Sequence, residues 1–492
     1  MNKSRRKFLV KSGCALGMGA LATQMRHFGL VSALAQRAHK NDDVLQGGAS
    51  YKALVVLYMT GGNDGNNTVI PNHNSLSISN YAAYSNARSA QGLSVPRASL
   101  LPISVPRMGG LTYGLHPSLG PVSGGVNNGI HELWAQGKMA IVTNVGSLVR
   151  PMTKIQFQNG TVEQPYQLFS HSDQTDIAQS GIANARVPHG WGGRIADRMT
   201  AGSNPSGLIP MITSTSTADL FTAGQTTLPM SIGDANTPLT EVLTFYGFEG
   251  TDGMARKNAF NQIRNYDLSS NYIAAASHIT DLSVQASVAL SSPAQEVTVT
   301  FPDTSTGRRL KQIGRLTKKR FDLNVNRQIF YVEIGNFDTH SGQLQDHHPL
   351  LEEVSQAVRA FYDEMAVQGI QNDVTLFTLS EFGRTFAPAG AGANVGSDHA
   401  WANHMFVIGG SVLGGDFYGV NTTNGTPFPT LTNGGPDDTE SGTGSRGRWI
   451  PTTSVDQYAA TLARWFGLPQ ANQSAVFPNI GNFTSTNLGF LP

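Results

Sequence analysis

Ala53-Leu-Val-Val-Leu-Tyr-Met59, followed by Gly61-Gly-Asn-Asp64-Gly65, decides the fold. Seven apolar residues without a polar break predict a strand covered on both faces, as in a parallel sheet. The glycine-rich turn after it lies where ligands gather in such sheets, outside the carboxyl ends of the strands. Similar runs recur at Lys138-Met-Ala-Ile-Val-Thr-Asn144, Gln328-Ile-Phe-Tyr-Val-Glu-Ile334, Val374-Thr-Leu-Phe-Thr-Leu379 and Met405-Phe-Val-Ile408. Between the third and fourth, Leu350, Leu351, Val354, Val358, Phe361 and Met365 form a stripe of helical period. A second helix is expected over 456–466, with Tyr458, Leu462 and Trp465 as its core face. This alternation predicts an α/β fold, a three-layer α/β/α sandwich on a mostly parallel sheet.

Residues 200–325 read differently. They are rich in Ser, Thr and Gly, with an amphipathic piece at 261–276 and a basic patch at 308–320. They are expected to form an insertion or cap on the one domain spanning 51–492. Residues 421–450 read as a long polar loop.

Ser4-Arg5-Arg6-Lys7-Phe8-Leu9, a weakly apolar stretch and Ala33-Leu34-Ala35 form a twin-arginine export signal over residues 1–35. Residues 36–50 are a polar linker. The apolar stretch is interrupted by Lys11 and too short to span a bilayer. Export implies the periplasm or the medium, with the export machinery as a partner and no stable membrane span once the signal is gone. Residues 1–35 hold six bases and no acid, so removal leaves 28 bases against 33 acids. That negative balance argues against nucleic acid as a partner. The single cysteine, Cys14, leaves with the signal. A bound ion would then be held by oxygen and imidazole, without thiolate.

Four expected strands end in polar clusters. These are Asn63-Asp64, then Asn336-Phe-Asp338-Thr-His340, then Ser380-Glu381-Phe-Gly-Arg384, and the loop Gly396-Ser-Asp398-His399-Ala-Trp-Ala-Asn-His404. Carboxylates and imidazoles gathered in this way suit a divalent metal. Each has a plainer reading too. Asp64 fits a turn, Asp338 a helix cap, Glu381 with Arg384 an ion pair, and His347 and His348 solvated or packed side chains at a helix start. Ser170, in Leu168-Phe-Ser170-His171-Ser172-Asp173, is the candidate nucleophile, and equally a helix cap. There is no Gly-x-Ser-x-Gly elbow, phosphate-binding Walker loop or His-Glu-x-x-His.

The chain resembles the bacterial domain of unknown function 1501 family. The resemblance is carried by Gly61-Gly-Asn-Asp64-Gly-Asn-Asn-Thr68, Leu115-His116-Pro-Ser-Leu119, Ser170-His171 and Phe337-Asp-Thr-His340. Ser380-Glu-Phe-Gly-Arg384, Ser397-Asp-His399 and Gly409-Gly-Ser-Val-Leu-Gly-Gly415 add to it. That family looks like a distant branch of the alkaline phosphatase and sulfatase superfamily. The resemblance implies an exported hydrolase of phosphate or sulfate esters with two divalent ions, zinc, manganese, magnesium or calcium. Asp64, Asp398, His399 and Ser170 would hold one ion, and Asp338 and His404 would help hold the other. The superfamily's Asp-x-x-x-His is here Asp338-x-His340, so the further ligand is His340, His347 or His348, or none of them. Glu333 and Glu381 compete for an acidic role. A non-catalytic exported binding or envelope-assembly protein of the same fold is the alternative.

Overall fold

The computed structural model describes residues 50–492 except 205–206, 218, 243–246, 249 and 292–294. The expected export signal and the linker up to residue 49 lie outside the described residues.

The strands are β1 (Lys52–Met59), β2 (Val69–Pro71), β3 (Leu101–Val105), β4 (Leu111–Leu115), β5 (Met139–Gly146), β6 (Ile212–Ser214), β7 (Met230–Ser231), β8 (Arg327–Ile334), β9 (Val374–Leu379), β10 (Asn403–Gly409), β11 (Phe417–Tyr418) and β12 (Thr453–Ser454). Nine of them form one sheet in the order β11-β5-β10-β9-β1-β8-β6-β7, with β12 beside β5. β1 is central and runs parallel to β8 and β9. Only β10 runs antiparallel to its neighbours, β5 and β9. Strands β2, β4 and β3 make a small antiparallel sheet.

The longer helices are α1 (His171–Ser180), α2 (Trp191–Ser203), α3 (Gly250–Arg264), α4 (Asn271–Ser291), α5 (Ser305–Lys318), α6 (Gln343–Val367) and α7 (Val455–Phe466). β1 shows how two faces are covered. Its Ala53, Val55, Leu57 and Met59 pack with Leu310 and Ile313 of α5 and Val354, Val358 and Phe361 of α6. Its Leu54, Val56 and Tyr58 pack with Trp191 and Ile195 of α2 and Leu462 and Trp465 of α7. The fold is therefore α/β with helices on both faces of a mostly parallel sheet. An unbroken apolar run is the sequence consequence of such double burial.

The stretch 200–325 supplies the last two strands at one end of the sheet, β6 and the edge strand β7, and the layer helix α5. The single helical piece expected at 261–276 spans the end of α3 and the start of α4, with a turn between them. Five basic residues of 308–320 form ion pairs: Arg308 with Asp234 and Asp303, Lys311 and Arg315 with Glu296, Lys318 with Glu364, and Lys319 with Asp322.

Because β1, β8 and β9 are parallel, their carboxyl ends share one edge of the sheet. β5 points the same way, since both β5 and β9 oppose β10. The amino end of β10 therefore arrives at that edge, bringing the 396–403 loop. Gly61 lets the loops meet. Its φ is +113°, and a Cβ there would lie 2.3 Å from the Asp338 nitrogen. An L side chain would force the β1 and β8 loops apart.

Candidate metal centre

Three histidines share one arrangement at this edge. His171, the first residue of α1, sets Nδ1 3.0 Å from Glu381 Oε1. His399 sets Nδ1 2.8 Å from the Phe169 carbonyl oxygen, and His340 sets Nδ1 3.0 Å from Asp398 Oδ1. Ionised carboxylates and carbonyls only accept, so each Nδ1 is the donor and each neutral ring carries its lone pair on Nε2. The three Nε2 atoms lie 3.4, 3.1 and 3.3 Å from Asp338 Oδ1, for His171, His340 and His399 in turn. His340 Nε2 and His399 Nε2 are 3.0 Å apart. The Nε2 of His171 is buried without a hydrogen-bond partner.

Lone pairs and a carboxylate oxygen facing one another at such distances repel unless a cation or proton sits among them. The ligand atoms of His171, Asp338 and His399 all lie within 4.8 Å of one another, the one such group among the described residues. Neighbouring ligands each about 2.1 Å from one ion stand roughly 3.0–3.4 Å apart at octahedral to tetrahedral angles. An Nδ1–H held by a carboxylate or carbonyl is the outer-shell pattern of metal-bound imidazole. The residues present therefore fit a divalent ion, with His171, Asp338 and His399 as its core and His340 at its edge.

The surroundings hold these groups in place. Glu381 is buried; its Oε1 also accepts the Gly61 N–H at 2.7 Å. Its hydrogen bond raises the His171 pKa, against the opposing effect of burial, and Asp338 adds to the rise. Burial lowers the pKa of His399. For Asp338 burial acts upward, but the Arg384 guanidinium, 2.7 Å from Oδ1, outweighs it and the carboxyl stays below its ordinary value. Asp398 follows the same balance, with His340 and Arg446 as the lowering partners. Phe169 has φ +70°, a conformation unfavourable for a bulky residue, and it is the residue whose carbonyl receives His399.

The other sequence-predicted residues lie as follows. Asp64 is fully buried and faces Arg88, with Nη1 2.6 Å from Oδ2 and Nη2 3.2 Å from Oδ1. Its Oδ1 also caps the Asn66 N–H, and Gln343 donates to Oδ2. Burial acts upward on its pKa, but Arg88 prevails and lowers it. His404 is buried, accepts the Asn144 N–H on Nδ1 at 3.2 Å and stacks on Phe428. Asp398 bridges His340 and Arg446. Ser170 precedes α1, and its Oγ donates to Asp173 Oδ2 at 2.6 Å. His347 is buried with Nε2 2.8 Å from Asn63 Oδ1, while His348 is half exposed beside Glu352. Of the three histidines offered after Asp338, only His340 reaches the group. Glu333 accepts from the hydroxyls of Thr60 and Tyr331.

His171 was the residue that sequence reasoning passed over. Its signal was the pair Ser170-His171, where attention went to the hydroxyl.

The family described as "Protein of unknown function (DUF1501)" matches residues 51–427. The chain belongs to the DUF1501 family. The histidine group therefore lies wholly within the DUF1501 region, whereas Arg446 and Arg448 lie beyond it. Among curated proteins nothing matches. A sulfatase, PsFucS1 from Pseudoalteromonas sp., matches at 9% identity with TM-score 0.28, over 79% of this chain and 67% of that one. The lipoteichoic acid synthase LtaP from Listeria monocytogenes matches at 7% and 0.26, over 85% and 80%. Alkaline phosphatase from the Antarctic bacterium TAB5 matches at 8% and 0.19, over 73% and 92%. Likenesses this weak carry no argument about the chemistry of the DUF1501 site.

Proposed function

We propose that this chain is an exported, metal-dependent hydrolase of phosphate or sulfate esters. The observation that carries the reading is the convergence of three Nε2 lone pairs on Asp338 Oδ1, each imidazole locked through its Nδ1. His171, Asp338, His399 and His340 would hold the ion, and an imidazole-rich set favours zinc over magnesium or calcium. When bound, the ion supplies Lewis acidity that draws negative charge off an ester's oxygens.

The charge around the group suits an anionic ester. Asp338 is paired with Arg384, Asp398 with Arg446, and Glu440 with Arg448. No carboxylate of these three is left unpaired to repel an anion. Ser170 is the nucleophile in this reading. Its hydroxyl already donates to Asp173, which can take the proton as Oγ attacks the phosphorus or sulfur centre and return it to the departing alcohol oxygen; water then hydrolyses the seryl ester and restores Ser170. Its peptide neighbours are Phe169, which orients His399, and His171 itself.

Export rests on Ser4-Arg5-Arg6-Lys7 and implies a periplasmic or secreted protein that uses the twin-arginine machinery. Among the described residues no helix is long and apolar enough to cross a membrane. A second reading, an exported binding or envelope-assembly protein without turnover, draws on Ser170. Its hydroxyl bonds no member of the histidine group among the described residues.

The deciding experiment joins elemental analysis of the mature protein to assays with aryl phosphate and aryl sulfate. Bound metal, turnover of either ester and a loss of kcat of roughly 10³-fold or more in Ser170→Ala support the hydrolase. Metal without turnover supports the second reading.

A further inference from the structure

We propose that Arg446 is the anion anchor of this site, and that it binds the non-bridging oxygens of a phosphate or sulfate group beside His340 and Asp338. The inference rests on the reading of the centre as one that takes anionic esters, and it adds the recognition residue.

Four arginines could be weighed here, and their hydrogen bonds separate them. Arg88 is spent on Asp64, Asn67 and the carbonyls of Thr385 and Phe386. Arg384 is fully buried, and its nitrogens are taken by Asp338, the carbonyls of Gly61 and Ser397, and the Ser397 hydroxyl. Arg448 gives Nε to the His399 carbonyl at 2.9 Å and Nη1 to Glu440 at 2.7 Å, lying over the Phe169 ring. Arg446 differs. Its Nη2 donates to Asp398 Oδ2 at 2.6 Å, and among the described residues Nε and Nη1 have no partner. Its side chain is 31% exposed. Through Asp398 it stands one residue from His340, whose Nε2 belongs to the converging group.

The backbone that carries Arg446 is rigidly built. Asp438 is fully buried, and its carboxylate accepts the N–H groups of Gly434, Glu440, Gly447 and Arg448. The Lys154 ammonium donates to the carbonyls of Gly434, Gly435 and Glu440. Arg446 itself donates its N–H to Glu440 Oε2 and accepts the Ala387 N–H. A guanidinium fixed at its base by these bonds and at its tip by Asp398 loses little freedom on taking an anion. Its unused N–H groups match the acceptor-only oxygens of phosphate and sulfate.

The test is calorimetric titration of the mature, zinc-supplied protein with inorganic sulfate and, separately, inorganic phosphate at fixed ionic strength. Wild type is compared with Arg446→Gln and Arg446→Lys, with zinc content measured in each. The anchor predicts Kd higher by roughly 10- to 100-fold in Arg446→Gln, less in Arg446→Lys, with zinc content unchanged. The arm that responds more strongly names the preferred anion. Anion affinity in Arg446→Gln within about twofold of wild type, at full zinc content, overturns the anchor and leaves the metal centre standing. Wild type that binds zinc but neither anion overturns the anchor together with the ester reading. If Arg446→Gln fails to fold, Arg446→Lys decides by the same comparison.

Discussion

At His171 one ring nitrogen is bonded and buried against Glu381, and the other is aimed at Asp338 without a donor or acceptor of its own. Glu381 therefore acts as a positioning residue that fixes the tautomer. Glu381→Gln keeps the shape but weakens the acceptor, and zinc affinity is expected to fall by about 10–100-fold, read by competition with a chromophoric chelator. Asp64 is expected to behave in the opposite way. Asp64→Ala strands the buried Arg88 charge and should cost about 3–5 kcal/mol in urea unfolding, with zinc content unchanged. His404 sets an acid limit. Burial pushes its pKa down from 6.5 to about 4, so the unfolded chain takes up a proton first as pH falls. Its contribution is complete above about pH 6.5 and is lost as pH falls to about 4, on the order of 3 kcal/mol. His404→Phe should flatten that part of the stability–pH profile; an unchanged profile would refute the buried neutral imidazole. Sequence showed Asp338, His340 and His399 as metal-type residues because the adjacent motifs put them at strand ends. It was silent on Arg88, which stands 24 residues from Asp64 with nothing in its spacing to mark the pair.

At the scale of elements, the strands were readable because burial on both faces removes polar residues altogether. Lys52–Met59 and Val374–Leu379 match their apolar runs almost residue for residue. Strand direction was not readable. β10 is as apolar as its neighbours, and a doubly buried run carries no sign of which way it points. The reversal of β10 is nonetheless what delivers His399 to the shared edge. The 421–450 loop was legible as polar and irregular, but its order comes from Asp438, which no local pattern announced. Asp438→Ala leaves four backbone N–H groups without their acceptor. It is expected to destabilise by roughly 3 kcal/mol or more and to open 421–450 to limited proteolysis. Cleavage rates equal to wild type would show that the loop is held by other contacts.

The whole molecule joins β1, α1 and the C-terminal loops at one edge of one sheet, so the site depends on contacts far apart in sequence. Binding at such a site stabilises the folded state against an unfolded chain that lacks it. With free zinc at about 100 times Kd the gain is roughly 2.7 kcal/mol. A chelator should therefore lower Tm, and the Tm difference should vanish in His171→Ala. The layer packing was legible only in outline, because helix stripes say that a face is buried and not against which strand.

The most direct test of the metal centre is zinc stoichiometry in the mature protein, measured alongside His171→Ala, Asp338→Ala and His399→Ala. One ion per chain is predicted in the wild type, with each substitution removing it while the chain stays folded. Wild type that remains metal-free when offered zinc and manganese, or variants that keep the ion, would contradict the account.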